Sequence, residues 1–105
     1  MTHPTVERGE NRYEIRVDGE LAGFTEVRDR DAQRVFFHTE IAEAFQGKGL
    51  SSTLIGHALT RTREDGRRIV GVCPAVARHL AKHDEFADIA DPVDRDVLRW
   101  LRTAR

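Results

Sequence analysis

Residues 45–54 read FQGKGLSSTL, and this short stretch separates two different patterns in the chain. Before it, apolar residues tend to recur at every second position, which is the period of a β-strand. After it, apolar residues recur at helical spacing from Leu50 to Thr62. Gly47 and Gly49 allow the backbone to turn tightly between the two patterns. The stretch is therefore predicted to join a strand to a helix through a glycine-rich loop.

Three strands are predicted upstream of this loop. Residues 13–17 alternate in polarity, residues 21–27 form a second run, and residues 35–41 form a third. Asp18-Gly19 separates the first two runs, and an Asp-Gly pair in this position is typical of a tight hairpin. Short connections between three successive strands indicate an antiparallel meander.

The part of the chain after the loop is predicted to contain two further helices and one strand. Gly66 is expected to end the first helix, and residues 69–72 form a short buried strand. Pro74 can begin a second helix, and Asp91-Pro92 is expected to cap and begin the last one. The order β-β-β-α-β-α-α puts a parallel βαβ crossover after the antiparallel meander. The predicted class is α+β, a mixed β-sheet flanked by helices.

Length and composition limit the function classes. The chain has 105 residues, so we expect residues 1–105 to form a single domain, with a flexible segment at residues 1–9. The net charge of −1 favours neither nucleic acid nor a membrane surface as a partner. One cysteine excludes an internal disulfide and fits a reducing compartment. The longest mostly apolar run, residues 69–77, is far shorter than the roughly 20 residues of a spanning helix. With no apolar signal segment at the N-terminus, we expect a cytoplasmic protein.

The basic side chains are concentrated in the middle of the chain. Residues 46–83 carry seven basic and two acidic side chains, whereas the flanking segments are net acidic. A basic segment in a nearly neutral chain indicates a local anionic ligand rather than a long polyanion. Alternatively, the arginines between residues 61 and 68 solvate a helix end. A nucleic-acid site on those arginines is weakly indicated, because the aromatic residues needed for base stacking are missing.

The loop itself has the features of a phosphate site. The first four N–H groups of a helix have no partner within the helix, and the helix dipole favours an anion there. Lys48 adds a positive charge at the same point. Two common phosphate loops do not fit, because Gly49 stands where a P-loop needs Ser or Thr, and Ser52 stands where the dinucleotide fingerprint needs glycine. An ordinary connecting loop is the alternative.

The loop resembles motif A of the GNAT acetyltransferase superfamily, which is written Q/R-x-x-G-x-G/A. Gln46 matches the first position and Gly49 the fourth, and Ser51 stands at the sixth, where Gly or Ala is usual. Residues 38–41, HTEI, and residues 71–86, GVCPAVARHLAKHDEF, resemble a minimal short branch of this superfamily, the YjdJ-like N-acetyltransferase domain.

This resemblance extends over most of the chain and implies both a fold and an activity. The implied fold is a GNAT-type mixed sheet. The implied activity is direct transfer of an acetyl group from acetyl-CoA, as co-substrate, to a primary amine within a ternary complex. The loop of motif A cradles the pyrophosphate of acetyl-CoA through backbone N–H groups in this superfamily. The residues expected to contact acetyl-CoA are Ile41, Gln46, Gly47, Lys48, Gly49, Leu50, Ser51, Ser52, Cys73, His79, Lys82 and His83.

Three residues are candidates for catalysis. Cys73 lies at the end of a strand and the start of a helix, a position that activates thiols. It is a candidate nucleophile, proton donor to the leaving CoA thiolate, or lining residue of the thioester pocket; the alternative is a small buried apolar residue. Glu40 and His38 alternate onto one strand face, and either is a candidate for the base that deprotonates the amine, directly or through water. A solvated strand face with an ion pair is the alternative.

The hairpin at Asp18-Gly19 leaves no room for the helices that wall the acceptor site in most superfamily members. An open acceptor side implies a large or exposed acceptor, such as a protein or peptide amine, or a site completed by a second chain. Both a monomer and a homodimer are allowed. The chain's only tyrosine, Tyr13, is in the first strand, whereas many relatives protonate the thiolate with a tyrosine on a later helix. The alternative function is therefore a non-catalytic acyl-CoA sensor or interaction module. No metal is expected, because His79 and His83 lack a third ligand.

Overall fold

A computed structural model describes residues 3–103 and shows one mixed sheet of six strands in chain order. The pairs β1–β2, β2–β3 and β3–β4 are antiparallel, and the pairs β4–β5 and β5–β6 are parallel. The predicted meander followed by a parallel crossover is therefore confirmed. The strands are β1 (Pro4–Arg8), β2 (Arg12–Val17), β3 (Glu20–Arg30), β4 (Gln33–Ile41), β5 (Arg68–Gly71) and β6 (Ala90–Asp91).

Three α-helices and two short 3-10 helices make up the rest of the regular structure in residues 3–103. Helix α1 is formed by Leu50–Glu64, α2 by Pro74–Lys82 and α3 by Arg95–Thr103. The 3-10 helices are Glu43–Phe45, before the glycine-rich loop, and Asp84–Ile89, after α2. None of the helices within residues 3–103 is long and apolar enough to cross a membrane.

The helices cover the two faces of the sheet unequally. Helices α1 and α2 pack on one face and enclose the main core, which includes Tyr13, Ile15, Phe36, Leu54, Leu59, Ile69 and Val76. Helix α3 packs on the other face over a smaller apolar cluster of Val35, Val70 and Val97, flanked by Trp100 and Leu101. On this outer face α3 reaches β3 only at Arg30, which lies 5.8 Å from the centre of the Trp100 ring. No helix within residues 3–103 packs over β2, the rest of β3 or the end of β4.

Local sequence signals explain where several strands and helices begin and end. Asp18 and Gly19 both have positive φ, +53° and +83°, as the predicted tight hairpin requires. Gly66 has a φ of +73° two residues after the end of α1, and Pro74 occupies the first turn of α2. The predicted inner stripe of α1 is buried at all its positions, Leu50, Leu54, Ile55, Ala58, Leu59 and Thr62.

A bulge in β4 changes which residues share a face. The register with β3 steps at Phe37, which is the extra residue. Phe36 therefore packs in the main core and Val35 packs under α3. A regular alternation along residues 35–41 would put Val35 on the same face as Thr39, but the extra residue places them on opposite faces. An alternation counted along one strand cannot detect such a residue.

The beginning of the chain also differs from the prediction. Residues 1–9 were expected to be flexible, but Pro4–Arg8 forms β1 and pairs with β2 along its whole length. The side chain of Val6 packs against the main core, which gives this short polar strand an apolar anchor. Met1 and Thr2 lie outside the described residues.

The last helix begins later than predicted. It starts at Arg95 rather than at Pro92, because Asp94 is the residue that caps it: Asp94 Oδ1 accepts a hydrogen bond of 2.9 Å from the Val97 N–H. Asp91, the predicted cap, lies in β6 and binds the side chain of Arg68.

Candidate functional site

The glycine-rich loop enters α1 with left-handed backbone. Gly47 and Gly49 have φ angles of +80° and +72°, which residues with a Cβ rarely adopt. Apart from the adjoining residues, no heavy atom of residues 3–103 lies within 4 Å of the position that a Cβ would take at either glycine, so the space beside the loop is open. No side chain caps the N-terminus of α1. Its first N–H groups are therefore available to an anion.

One side chain joins this loop to the sheet. Gln46 Nε2 donates a hydrogen bond of 3.2 Å to the carbonyl oxygen of Ile41 at the end of β4. Lys48, the next charged residue, lies with Nζ 5.7 Å from the centre of the Phe45 ring. The loop thus has a defined position relative to β4 and carries a positive charge.

Strands β4 and β5 separate halfway along β4. The N–H groups of Val72 and Cys73 both donate to the Phe36 carbonyl, at 2.9 and 3.0 Å. The chain then turns into α2, so the rest of β4 has β3 as its only strand neighbour among the described residues. From the bulge to Ile41, the other edge of β4 is open.

Strand alternation defines which backbone groups face this open edge. The N–H of Ala42 donates to the Ala22 carbonyl on the β3 side, at 2.8 Å. Because successive backbone groups point to opposite edges of a strand, the N–H groups of Ile41 and Thr39 face away from β3. The hydrogen bond from Gln46 to the Ile41 carbonyl agrees with this direction.

A cavity of about 320 Å³ lies between this open edge, the glycine-rich loop and the first turn of α2. Thr39 and Ala75 line it from the strand and from α2. The cavity brings together six residues predicted to contact acetyl-CoA: Ile41, Gln46, Gly47, Gly49, Leu50 and Ser51.

Cys73 lies directly behind this cavity. It immediately precedes α2, as predicted, and only 4% of its surface is exposed. Its Sγ lies 3.2 Å from Thr39 Oγ1, and Thr39 Oγ1 lies 2.9 Å from Thr25 Oγ1. Sequence reasoning missed both threonines, because their contact depends on the register of β3 with β4.

His38 and Glu40 share one face of β4, as predicted. His38 Nε2 lies 3.4 Å from Glu40 Oε2, both side chains are exposed, and the ring of Phe24 lies 6.1 Å from that of His38. Thr39, which contacts Cys73, lies on the opposite face of β4. The structure therefore brings the two candidate bases together with each other but not with the thiol.

The histidines of α2 are partly involved in packing. The His79 ring is buried and stacks on His83 at 4.2 Å between centroids, with Phe86 at 6.5 Å. Burial lowers the pKa of His79, the nearby His83 lowers it further, and Glu85 partly opposes both. Lys82 is exposed on the same helix. The predicted contacts of His79, Lys82 and His83 with acetyl-CoA stay predictions.

A larger cavity, of about 750 Å³, lies along the outer side of α1 and is lined by residues such as Tyr13, Ser52, His57, Arg63 and Phe86. It contains no residue of β4, so it reaches neither the open edge nor Cys73. The smaller cavity therefore fits a site for chemistry better. Within residues 3–103, no cluster of three or more His, Cys, Asp or Glu side chains could hold a metal ion.

Comparisons with known proteins agree with this geometry. The model of the GCN5-related N-acetyltransferase family matches residues 12–89. The NMR structure of a GCN5-like protein from Staphylococcus aureus, named as a candidate N-acetyltransferase, has a TM-score of 0.66 and 20% sequence identity to this chain. The match covers 87% of this chain and 91% of that chain, and it shows a shared fold. No curated protein matches the chain.

Proposed function

Because this chain belongs to the GCN5-related N-acetyltransferase family, we propose that it transfers an acetyl group from acetyl-CoA to a primary amine within a ternary complex. Residues 1–105 would act as one acetyl-CoA-binding domain. The observation that carries the proposal is a single junction: the open edge of β4 meets the uncapped, glycine-rich N-terminus of α1 beside one cavity.

The residues at this junction fit the chemistry of coenzyme A. Its pyrophosphate needs converging N–H donors and positive charge, which the backbone of residues 47–52 and Lys48 supply. Its pantetheine arm contains two amide groups, and the open edge at Thr39 and Ile41 offers backbone partners for amides. The glycines leave the space beside the loop open, so no side chain blocks this approach.

Acetyl-CoA supplies the activated acetyl group as a thioester. The N–H groups that face the open edge of β4 would stabilise negative charge developing on the carbonyl oxygen. An amine must be neutral to attack, and Glu40 or His38 would accept its proton through water, since both are exposed on the far face of the strand.

The acceptor would approach over the outer face of the sheet. Glu14 on this face is held by Arg12 and Arg16. Nearer the open edge, Glu26 is paired with His38 in register, and Glu40 follows on the same face. These carboxylates and the lack of a covering helix fit a cationic amine carried on an exposed acceptor such as a protein or peptide.

The first test is calorimetric titration of the protein with acetyl-CoA. The wild type should bind with a micromolar dissociation constant. Gly49→Asp should weaken binding by at least about 100-fold, because it places a carboxylate among N–H groups that hold phosphate. The matched control is Gly19→Asp, which adds the same charge at a glycine with φ +83° and open surroundings, far along the chain from the loop.

Transfer is tested next with a panel of lysine-bearing peptides and polyamines. Glu40→Gln should slow acetylation by about 10- to 100-fold while the affinity for acetyl-CoA is retained. If the folded wild type binds no acetyl-CoA, both the acetyltransferase and the CoA-sensor proposals fail.

A non-catalytic acyl-CoA sensor or interaction module is the second candidate function. One observation favours it: the hydroxyl of the single tyrosine, Tyr13, accepts hydrogen bonds from Arg34 and Arg8 and does not line the smaller cavity, so it is not placed to protonate a leaving thiolate there. Tight binding of acetyl-CoA with only background transfer across the acceptor panel would support this function.

A further inference from the structure

A chain of three side chains leads from the cavity into the protein interior. Thr39 Oγ1 lies 2.9 Å from Thr25 Oγ1 and 3.2 Å from Cys73 Sγ. Thr39 lines the cavity, whereas Thr25 is fully buried and Cys73 is 4% exposed. Thr39 is therefore the one member of the chain that can touch a molecule in the cavity.

The burial of Thr25 determines which hydroxyl group donates the hydrogen bond between Thr25 and Thr39. A buried hydroxyl proton without an acceptor costs free energy, and Thr39 Oγ1 is the side-chain partner of Thr25 within the described residues. Thr25 therefore donates to Thr39. Thr39 Oγ1 then has one lone pair and its own proton left. When the thiol of Cys73 donates to that lone pair, the proton of Thr39 is free to reach an acceptor in the cavity that Thr39 lines.

We infer that Thr39 is a catalytic residue that protonates the departing sulfur of coenzyme A, and that Cys73 supplies the replacement proton. This inference rests on the proposed acetyl transfer. As the C–N bond to the amine forms and the C–S bond breaks, the sulfur takes the proton of Thr39, and Thr39 takes the proton of Cys73. The amine loses its proton to the base on the far face of β4.

The position of Cys73 suits this role. A hydroxyl group alone is a weak acid, so it needs a proton source behind it, and a thiol is closer in acidity to the leaving thiol. The thiolate left on Cys73 lies immediately before the N-terminus of α2, where the helix dipole favours negative charge. Cys73 then takes a proton from water and the base on the far face of β4 releases its proton to water, so that one turnover leaves the protein unchanged.

The inference is tested first by binding, without catalysis. CoA and desulfo-CoA, which lacks the thiol, are titrated into the wild type, Thr39→Val and Thr39→Ser. The wild type should prefer CoA over desulfo-CoA by about 5-fold, the effect of one hydrogen bond. Thr39→Val should lose this preference and Thr39→Ser should keep it. An equal preference in the wild type and Thr39→Val would overturn the inference.

Turnover provides the second readout. Thr39→Val should lower kcat by about 100-fold at an acetyl-CoA affinity within about 3-fold of the wild type, and Thr39→Ser should restore most of the rate. Cys73→Ala should also lower kcat, while retaining the preference for CoA. A wild-type rate in Thr39→Val would overturn the inference.

Two controls keep the outcomes separate. If Thr39→Val does not fold because it leaves Thr25 without a partner, the double variant Thr25→Val/Thr39→Val removes both polar groups of the pair and takes its place. If the wild type itself binds no CoA, the proposed function fails. If the wild type binds and transfers normally but Thr39→Val behaves like it, only the role of Thr39 fails.

Discussion

The two ends of β4 are built in opposite ways. At its beginning, the side chain of Arg34 is buried and hydrogen-bonded to residues on two other strands and to Asp65, the residue that follows α1. At its end, from Thr39 to Ile41, one edge of the strand has no strand partner within residues 3–103, and the following loop relies on glycines with positive φ. One strand thus supplies both a tightly bonded point of the fold and an edge that is available for binding.

We call the beginning of β4, at Arg34, the closed end and residues 39–41 the open end. The closed end is stabilised by charge as well as by packing. Arg34 donates hydrogen bonds of 2.7 Å to Tyr13 Oη and 2.8 Å each to Asp29 and Asp65. The hydrogen bonds from Arg34 lower the pKa of both carboxyl groups. Burial acts to lower the pKa of Arg34 itself, but the two aspartates outweigh it, and the net shift is upward. At the open end, the side-chain contacts of β4 within residues 3–103 are uncharged on one face, Thr25–Thr39–Cys73, and exposed on the other, His38–Glu40.

The largest effect is expected from breaking the closed end. Arg34→Met should lower the free energy of unfolding by about 3–5 kcal/mol, because it leaves two aspartates and a tyrosine hydroxyl without their shared donor. Urea unfolding measures the loss, and Arg99→Met, an exposed arginine of α3, is the control. A decrease in the free energy of unfolding below about 1 kcal/mol would show that the hydrogen bonds of Arg34 contribute little to the stability of the fold.

A smaller effect is expected at the open end, from Gly23 on β3. A Cβ at this position would lie 2.5 Å from the Glu40 carbonyl oxygen and 2.6 Å from Ile41 Cδ1, so the strands must move apart. Gly23→Ala should cost about 1–3 kcal/mol of stability and also weaken acetyl-CoA binding.

The control for this variant is Gly9→Ala, where the nearest atom would be an unremarkable 3.4 Å away. Urea unfolding and calorimetry are run on both variants. Unchanged acetyl-CoA affinity in Gly23→Ala, together with a clear loss of stability, would separate the end of β4 from the binding site.

The smallest expected effect is on the dependence of stability on pH. His79 on α2 and the aspartates bonded to Arg34 contribute to it in different pH ranges. The pKa of His79 is lowered in the folded state, so below about 6.5 the unfolded chain takes up a proton first. Stability should therefore fall as the pH drops from 6.5 toward the folded pKa. Asp29 and Asp65 have lowered pKa values as well, but their contribution is lost only below their ordinary value of 3.8.

The measurement is the melting temperature at pH 7.5 and pH 5.5. His79→Gln should reduce the difference between the two values, whereas His57→Gln, an exposed histidine on α1, should not. An unchanged difference in His79→Gln would contradict the assignment of this acid sensitivity to His79.

The parts of the fold that could be predicted from the sequence are those with a regular period. Strands β2 to β4, helix α1 and strand β5 follow from apolar spacing, and the Asp18-Gly19 hairpin from its turn residues. The resemblance to the GNAT superfamily, based on Gln46 and Gly49, is confirmed by the family match. Strands β1 and β6 were missed because the first is polar and the second has two residues, too few to show a period.

The candidate site was predictable where one residue type carries the signal. Gly47 and Gly49 mark the loop because their φ angles are rarely open to other residues. Arg34 was not recognised, because a charged side chain is expected at the surface unless its partners are known. Thr25 and Thr39 were missed for a related reason: their hydrogen bond follows from the pairing of β3 with β4, which a single segment does not reveal.

The proposed function requires that acetyl-CoA binds at the open end of β4. The most direct test is to follow backbone amide signals by 15N NMR while acetyl-CoA is added to the full chain. We expect the shifts to concentrate in residues 37–41 and 46–52 and at Cys73, while the signals of Arg34 and Asp65 at the closed end stay unchanged. Shifts centred on the larger cavity along the outer side of α1, or no shifts at saturating acetyl-CoA, would contradict it.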